Sequence, residues 1–270
     1  MRAALGALLL AFGAGAGAEI PVAFVADIQG SATIEGDGKL TFLAELPQGT
    51  RLLLGSGAHA SIAFAATGAE FAIAGPGEFR VSEREVTADR GAQPKRRNVA
   101  ALGTSVVVAK AAQSASASTR MRSIPPAAAQ SMLEFPVATR VTTLRPTLRW
   151  RPDSAHGEYT VLLMDADGKE IWRGKDSRGS VQPAVMLQSG ARYAWSVAGA
   201  KGGTGNSEFE TLAPDALKRV AATAQAKSFS DRVVRALLLQ DVGAQQEARH
   251  AWAQLARERP DLHELAALAR

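Results

Sequence analysis

Between residues 20 and 89 the chain is cut into short pieces by glycine and proline, and this punctuation constrains the fold more than any other feature. Gly30, Gly36-Asp-Gly38, Pro47-Gln-Gly49, Gly55-Ser-Gly57, Gly68 and Gly75-Pro-Gly77 stand between stretches of strand length. Val22-Ala-Phe-Val-Ala-Asp-Ile28 and Arg51-Leu-Leu-Leu54 are apolar stretches. Ser61-Ile-Ala-Phe64, Glu70-Phe-Ala-Ile73 and Glu78-Phe-Arg-Val81 alternate apolar with small or polar residues. Helical periodicity and helix caps are absent here. Short strands closed by Gly and Pro turns predict an all-β sandwich or barrel-like unit.

A second series of strands follows further along. Pro146-Thr-Leu-Arg-Trp150, Tyr159-Thr-Val-Leu-Leu-Met164, Glu170-Ile-Trp172 and Ala191-Arg-Tyr-Ala-Trp-Ser-Val197 have strand length, and period-two alternation puts Tyr193, Trp195 and Val197 on one face. Between the two series the composition shifts. Lys95-Arg96-Arg97 is a basic cluster, residues 111–119 are rich in Ala and Ser, and Pro125-Pro126 follows. The stretch from 91 to 134 therefore reads as a linker with one strand at Ser105-Val-Val-Val108. Residues 213–270 read as helical.

The N-terminus has the secretory pattern. Arg2 is a short positive region, residues 3–16 are apolar, and Ala16-Gly17-Ala18 supplies small residues at the cleavage positions before the polar Glu19. The run is too short and too rich in Gly and Ala for a membrane span. Cleavage after Ala18 and a periplasmic location are expected. No Cys follows the site to carry a lipid, and the chain has no cysteine at all, so its units are held by their cores alone. The net charge is +5, and +4 once Arg2 leaves with the signal. This mild excess fits weak contact with an anionic envelope surface but lacks the concentrated patch that nucleic acid requires.

Several residues carry a resemblance to known families. The order Pro47-Gln-Gly49, Leu52, Gly55-Ser-Gly-Ala58, Ala60, Ile62, Phe64, Gly68, Phe71, Ile73 and Gly75-Pro-Gly-Glu-Phe-Arg-Val81 resembles the FecR-type periplasmic domain. That resemblance implies a compact β-fold used for protein contacts in signalling or envelope assembly. The chain departs from the iron-regulator members in lacking their cytoplasmic region and membrane helix, which leaves direct control of a sigma factor unsupported. Pro146-Thr-Leu-Arg-Trp150, Asp167-Gly168, Ile171-Trp172, Leu187, Gly190, Tyr193-Ala-Trp195, Ser207, Phe209 and Thr211 resemble a fibronectin type III-like sandwich. Ala236, Leu239, Gly243, Ala248, Trp252, Leu255 and Pro260 fall at the spacing of a single tetratricopeptide-like unit, departing from it at Leu255, where the family prefers a smaller residue. In that reading Ala236 and Ala248 let two helices cross, Gly243 turns the chain and Pro260 starts the next helix. A third short helix is expected over Leu262, Leu265, Ala266 and Leu268. Short helices are marginal alone in water, and one repeat is fewer than the roughly three usually needed for stability. The group must lean on the sandwich or on another protein.

No catalytic constellation emerges. Lys201-Gly-Gly-Thr-Gly-Asn-Ser207 resembles a phosphate-binding loop, but Asn206 stands where that loop needs Lys, and Glu208-Phe-Glu-Thr211 after it reads as a strand. Asp165-Ala-Asp-Gly168 lacks the remaining ligands of a calcium loop and reads as a hairpin turn. His59, His156, His250 and His263 show no zinc-ligand spacing. Glu83 and Glu85 read as one solvated face of a strand. Trp150, Trp172, Trp195 and Trp252 suit core packing better than a sugar-stacking platform.

The expectation is a mainly β chain: a signal peptide at 1–18, a FecR-like β domain at 19–90, a linker at 91–134, a fibronectin type III-like sandwich at 135–212 and a helical tetratricopeptide-like tail at 213–270. No catalytic, cofactor-binding or metal-binding residue is assigned, and no cofactor is called for. The expected role is a non-enzymatic periplasmic scaffold or signalling-contact protein whose partner is another envelope protein. The alternative is a module binding peptidoglycan or an envelope glycan.

Overall fold

The computed structural model describes residues 20–103, 108, 132–152, 157–199 and 203–270. The segment expected to be a signal peptide, the Ala/Ser-rich stretch, Pro125-Pro126, all but the last residue of the strand expected at Ser105, His156 and Lys201-Gly202 lie outside these residues. Among the described residues the chain is mainly β, with antiparallel sheets followed by a short helical region.

The first unit is built from two five-stranded sheets. One contains β1 (Pro21–Gln29), β4 (Glu45–Pro47), β6 (His59–Ala63), β7 (Ala69–Ala74) and β10 (Lys95–Asn98), in the order β10-β7-β6-β1-β4. The other contains β2 (Ala32–Ile34), β3 (Gly38–Lys39), β5 (Arg51–Leu54), β8 (Gly77–Val81) and β9 (Val86–Arg90), in the order β3-β2-β5-β8-β9. All pairings are antiparallel. Phe24, Leu40, Leu46, Leu52, Ile62, Phe64 and Phe79 are buried in its core. The glycines separate the strands for a steric reason: a Cβ on Gly75 would collide with the Gly55 carbonyl, and one on Gly68 with the Val99 carbonyl.

Two sequence expectations are corrected here. Lys95–Asn98 is not solvated linker but the edge strand β10, paired with β7 in the register Arg97↔Glu70. Beyond it Val99 N–H donates to Gly68 O (2.7 Å), Leu102 N–H donates to Ala65 O (2.8 Å), and Leu102 is buried, so the first unit continues past residue 90. Glu83 and Glu85 lie in the turn between β8 and β9 and share no strand face.

The second unit pairs β11 (Leu133–Phe135), β13 (Leu148–Trp150) and β16 (Ser180–Val181) in one sheet. The other sheet runs β12-β18-β17-β14-β15, from β12 (Thr139–Val141), β14 (Tyr159–Asp165), β15 (Glu170–Asp176), β17 (Arg192–Gly199) and β18 (Thr204–Thr211). Among the described residues only the β12–β18 pairing is parallel. Their shared core is separate from that of the first unit and includes Trp150, Tyr159, Leu163, Trp195 and Phe209. Trp195 is fully buried and its indole N–H donates to Pro136 O at 2.7 Å, as a buried indole requires.

Four helices complete the chain: α1 (Pro214–Ala221), α2 (Phe229–Asp241), α3 (Gln245–Glu258) and α4 (His263–Leu268). None is long and apolar enough to cross a membrane. Ser228 caps α2 in a capping box with Asp231, and Gly243 at φ +82° turns the chain into α3. Trp252 is buried and donates to Gln240 Oε1 at 2.9 Å. Pro260 sits in the turn before α4, not at the helix start that its tetratricopeptide-like position implies.

The helices share one core with the first unit, more than a hundred positions away in sequence. Ala23, Phe24, Val25 and Ala26 of β1 are all buried, so both faces of the strand are covered. One polar cluster ties the two parts together. Glu70, 1% exposed, receives Arg97 Nη2 at 2.9 and 2.7 Å on its two oxygens and the Ser230 hydroxyl at 3.0 Å. Arg97 also donates to Asp231 (3.1 Å), Ser228 Oγ (2.7 Å) and Ser230 Oγ (2.6 Å), all in the first turn of α2 or its cap. At the far end Arg259 donates to Asp27 (2.5 Å) and Ile28 O (2.7 Å), and its guanidinium lies 5.3 Å above the Phe229 ring.

Burial alone would raise the Asp231 carboxyl, but the bonds from Ser228 and the Arg97 charge outweigh it and hold its pKa below the ordinary aspartate value. Removing Arg97 leaves Glu70 buried without its cation. Arg97→Ala should therefore destabilise the full chain by about 3 kcal/mol, the low end for a broken buried pair because Arg97 is 38% exposed. Glu70→Leu combined with Arg97→Met should recover most of that loss. Because the Asp231 pKa is lowered on folding, its stabilisation is present at neutral pH and is lost as pH falls below about 4. Urea unfolding across pH, with Asp231→Asn lacking that acid-sensitive part, checks both statements.

Candidate interaction groove

Helix α3 and the turn that precedes it also meet the second unit. The side chain of Gln246 bridges a strand connection there: Val137 N–H donates to its Oε1 (2.8 Å) and its Nε2 donates to Glu134 O (2.9 Å). Arg140 N–H donates to Gly243 O (3.2 Å), and its guanidinium reaches Val242 O (3.3 Å). Thr142 donates to Glu247 Oε1 at 2.9 Å. The tail thus lies against both β units, whereas the sequence pointed to the sandwich or another protein.

Beside this seam runs a groove of about 830 Å³. One wall comes from the sandwich. Arg145, Thr147 and Arg149 alternate outward, while Pro146, Leu148 and Trp150 are buried on the other face. Arg149 lies 5.1 Å above the ring of Phe135, which orients its guanidinium. The other wall is the face of α3 that carries Gln246, Arg249, His250, Ala253 and Gln254, the spacing of one helical stripe.

Many surface arginines are held by a carboxylate, whereas Arg96, Arg192, Arg257 and Arg270 are exposed and unpaired among the described residues. Arg51, Arg80, Arg90, Arg173, Arg178 and Arg232 are each paired with a carboxylate. Among the described residues no carboxylate pairs with Arg145, Arg149 or Arg249, and all three are exposed. Arg235, at the base, donates to Val220 O (3.4 Å) and Thr223 Oγ1 (2.8 Å). Glu247 lines the groove, but its Oε2 is buried with no hydrogen-bond partner among the described residues. Burial pushes its carboxyl up, against the Thr142 bond and the Arg235 charge. The groove is thus lined by convergent guanidinium donors suited to an anionic group.

The residues singled out in the sequence are not gathered here, except His250. His59 and His263 are exposed on β6 and α4. Among the described residues no three His, Cys, Asp or Glu side chains cluster to hold a metal ion. Thr204, Gly205, Asn206 and Ser207 are ladder residues of β18, so no helix N-terminus follows that glycine-rich loop. Asp165 Oδ1 accepts from the amides of Asp167 and Lys169, both at 3.0 Å, closing the β14–β15 turn on itself. Trp150 and Trp252 are buried like Trp195, and Trp172 is half-buried. The groove arginines were missed, although Arg-x-Thr-x-Arg opposite Pro-x-Leu-x-Trp marks an outward strand face. No protein-family model matches the chain, and no curated protein matches it in sequence.

A carboxyl whose pKa is raised on folding is held neutral in acid and penalises the fold once it ionises. Glu247→Gln should therefore unfold at higher urea than the parent near pH 7. Below about pH 4 the two should coincide, because both side chains are then neutral.

Proposed function

We propose that this chain is an exported, non-catalytic scaffold of the bacterial envelope that makes protein contacts. The reading rests on the secretory N-terminus and on the resemblance to FecR-type, fibronectin type III-like and tetratricopeptide-like units. The observation that carries it furthest is the seam at Gln246, Arg140 and Thr142, which holds a helical stripe and a strand face on opposite walls of one polar groove. Concave surfaces between packed units are where binding sites commonly lie. The glycan alternative loses three of its four tryptophans to burial, at 2% exposure for Trp150 and 0% for Trp195 and Trp252. The remaining one, Trp172, is spread over Gly174 on its own strand.

The full-length chain, expressed in its host, tests the reading. A membrane-impermeant amine cross-linker should give a discrete adduct with another protein, and the mature chain should stay in the supernatant over purified peptidoglycan sacculi. Pelleting with sacculi and the absence of a protein adduct would favour the glycan module instead.

A further inference from the structure

We infer that the groove between the β13 face and α3 binds an extended acidic peptide segment of a partner protein. This rests on the scaffold reading above and adds the site and the chemistry of its ligand. The first support is charge. Arg145 and Arg149 on one wall and Arg249 on the other have no carboxylate partner among the described residues, and unlike the other exposed, unpaired arginines, Arg96, Arg192, Arg257 and Arg270, they line one concavity together. Three guanidinium groups facing one concavity match carboxylates placed along a chain, since each fork accepts a carboxylate side-on. The nearby acids oppose this little: Glu134 is engaged by Arg151 at 3.3 Å, and the Glu247 carboxyl is withdrawn from solvent.

The second support is the rest of the lining. Gln182 Nε2 donates to Arg145 O (2.9 Å) and Gln254 Nε2 lies 2.9 Å from His250 Nε2, which fixes the two amides with an oxygen each to accept from a peptide N–H. Phe135 and Ala251 provide apolar contact between the charges. The volume, about 830 Å³, is within the range that encloses a small ligand or a few residues of extended chain. The shape argues against a bilayer, which lies flat on a convex face and reaches only the rim of a cleft. An uncharged glycan would leave the arginines without partners.

The test is fluorescence polarisation of a labelled deca-glutamate peptide against the full-length mature chain. Binding should weaken as salt rises. The variants Arg149→Gln and Arg249→Gln, both on exposed positions, should each weaken it several-fold, and together by about tenfold or more. Arg96→Gln, an exposed arginine on β10 away from the groove, should leave it unchanged. Equal loss with Arg96→Gln would mean that the peptide reads only net charge, and would overturn the inference. So would tight binding to phosphatidylglycerol vesicles that the groove variants abolish while the peptide does not bind. Failure here with a persistent protein adduct in cells would sink the groove alone and leave the scaffold reading standing; loss of both would sink that reading too.

Discussion

A carboxylate with almost no contact with water is costly unless it is matched by charge and hydrogen bonds. Glu70 is such a group, and the rest of the architecture depends on how it is matched. Its cation, Arg97, comes from the neighbouring strand of the same sheet, and its hydroxyl donor, Ser230, from the first turn of α2. The same guanidinium reaches the two residues of the capping box, Ser228 and Asp231. The start of the helix is thus also the lid over the ion pair. Withdrawing α2 would expose the pair, uncap Arg97 and uncover the second face of β1 together.

From that anchor the positions of the other parts follow. With its N-terminus fixed on β7 and β10, α2 lies over β1 and brings Phe229 to within 6.3 Å of Phe42. Gly243 then reverses the chain, and α3 returns with Arg259 beyond its end, where Asp27 holds it. That return sets the α3 stripe opposite Arg145 and Arg149 of the sandwich. The groove is therefore a consequence of docking the tail on both β units and not a property of any single unit. Trp252 and Leu255 supply the apolar seam between α2 and α3, but the seam alone is small. Most of the stabilisation of these helices comes from the sheet beneath them.

Much of this was legible in the sequence where the signal is local. The Gly and Pro punctuation marked the strands of the first unit, and the alternation of Tyr193, Trp195 and Val197 marked the inner face of β17. The unbroken Val22-Ala-Phe-Val-Ala run marked a strand, and its lack of alternation is the trace of burial on both faces. What covers the second face was not legible, because α2 lies two hundred residues later. Arg97 was misread for a related reason. In a basic, low-complexity neighbourhood its charge looks solvated, and only the cross-strand register shows that it faces a buried Glu70. The groove required both walls at once. Arg145 and Arg149 alternate visibly, but nothing local says that Arg249 stands across from them.

The central claim is that the helical tail and the first β unit form one cooperative core. Native-state hydrogen exchange on the full-length chain tests it most directly. The amides of β1, including Val25 bonded to Ala44 O, and those in the middle of α2 should open with the same free energy and the same dependence on denaturant, as one unit. Exchange of the α2 amides through a separate opening of lower energy, with β1 still fully protected, would contradict it.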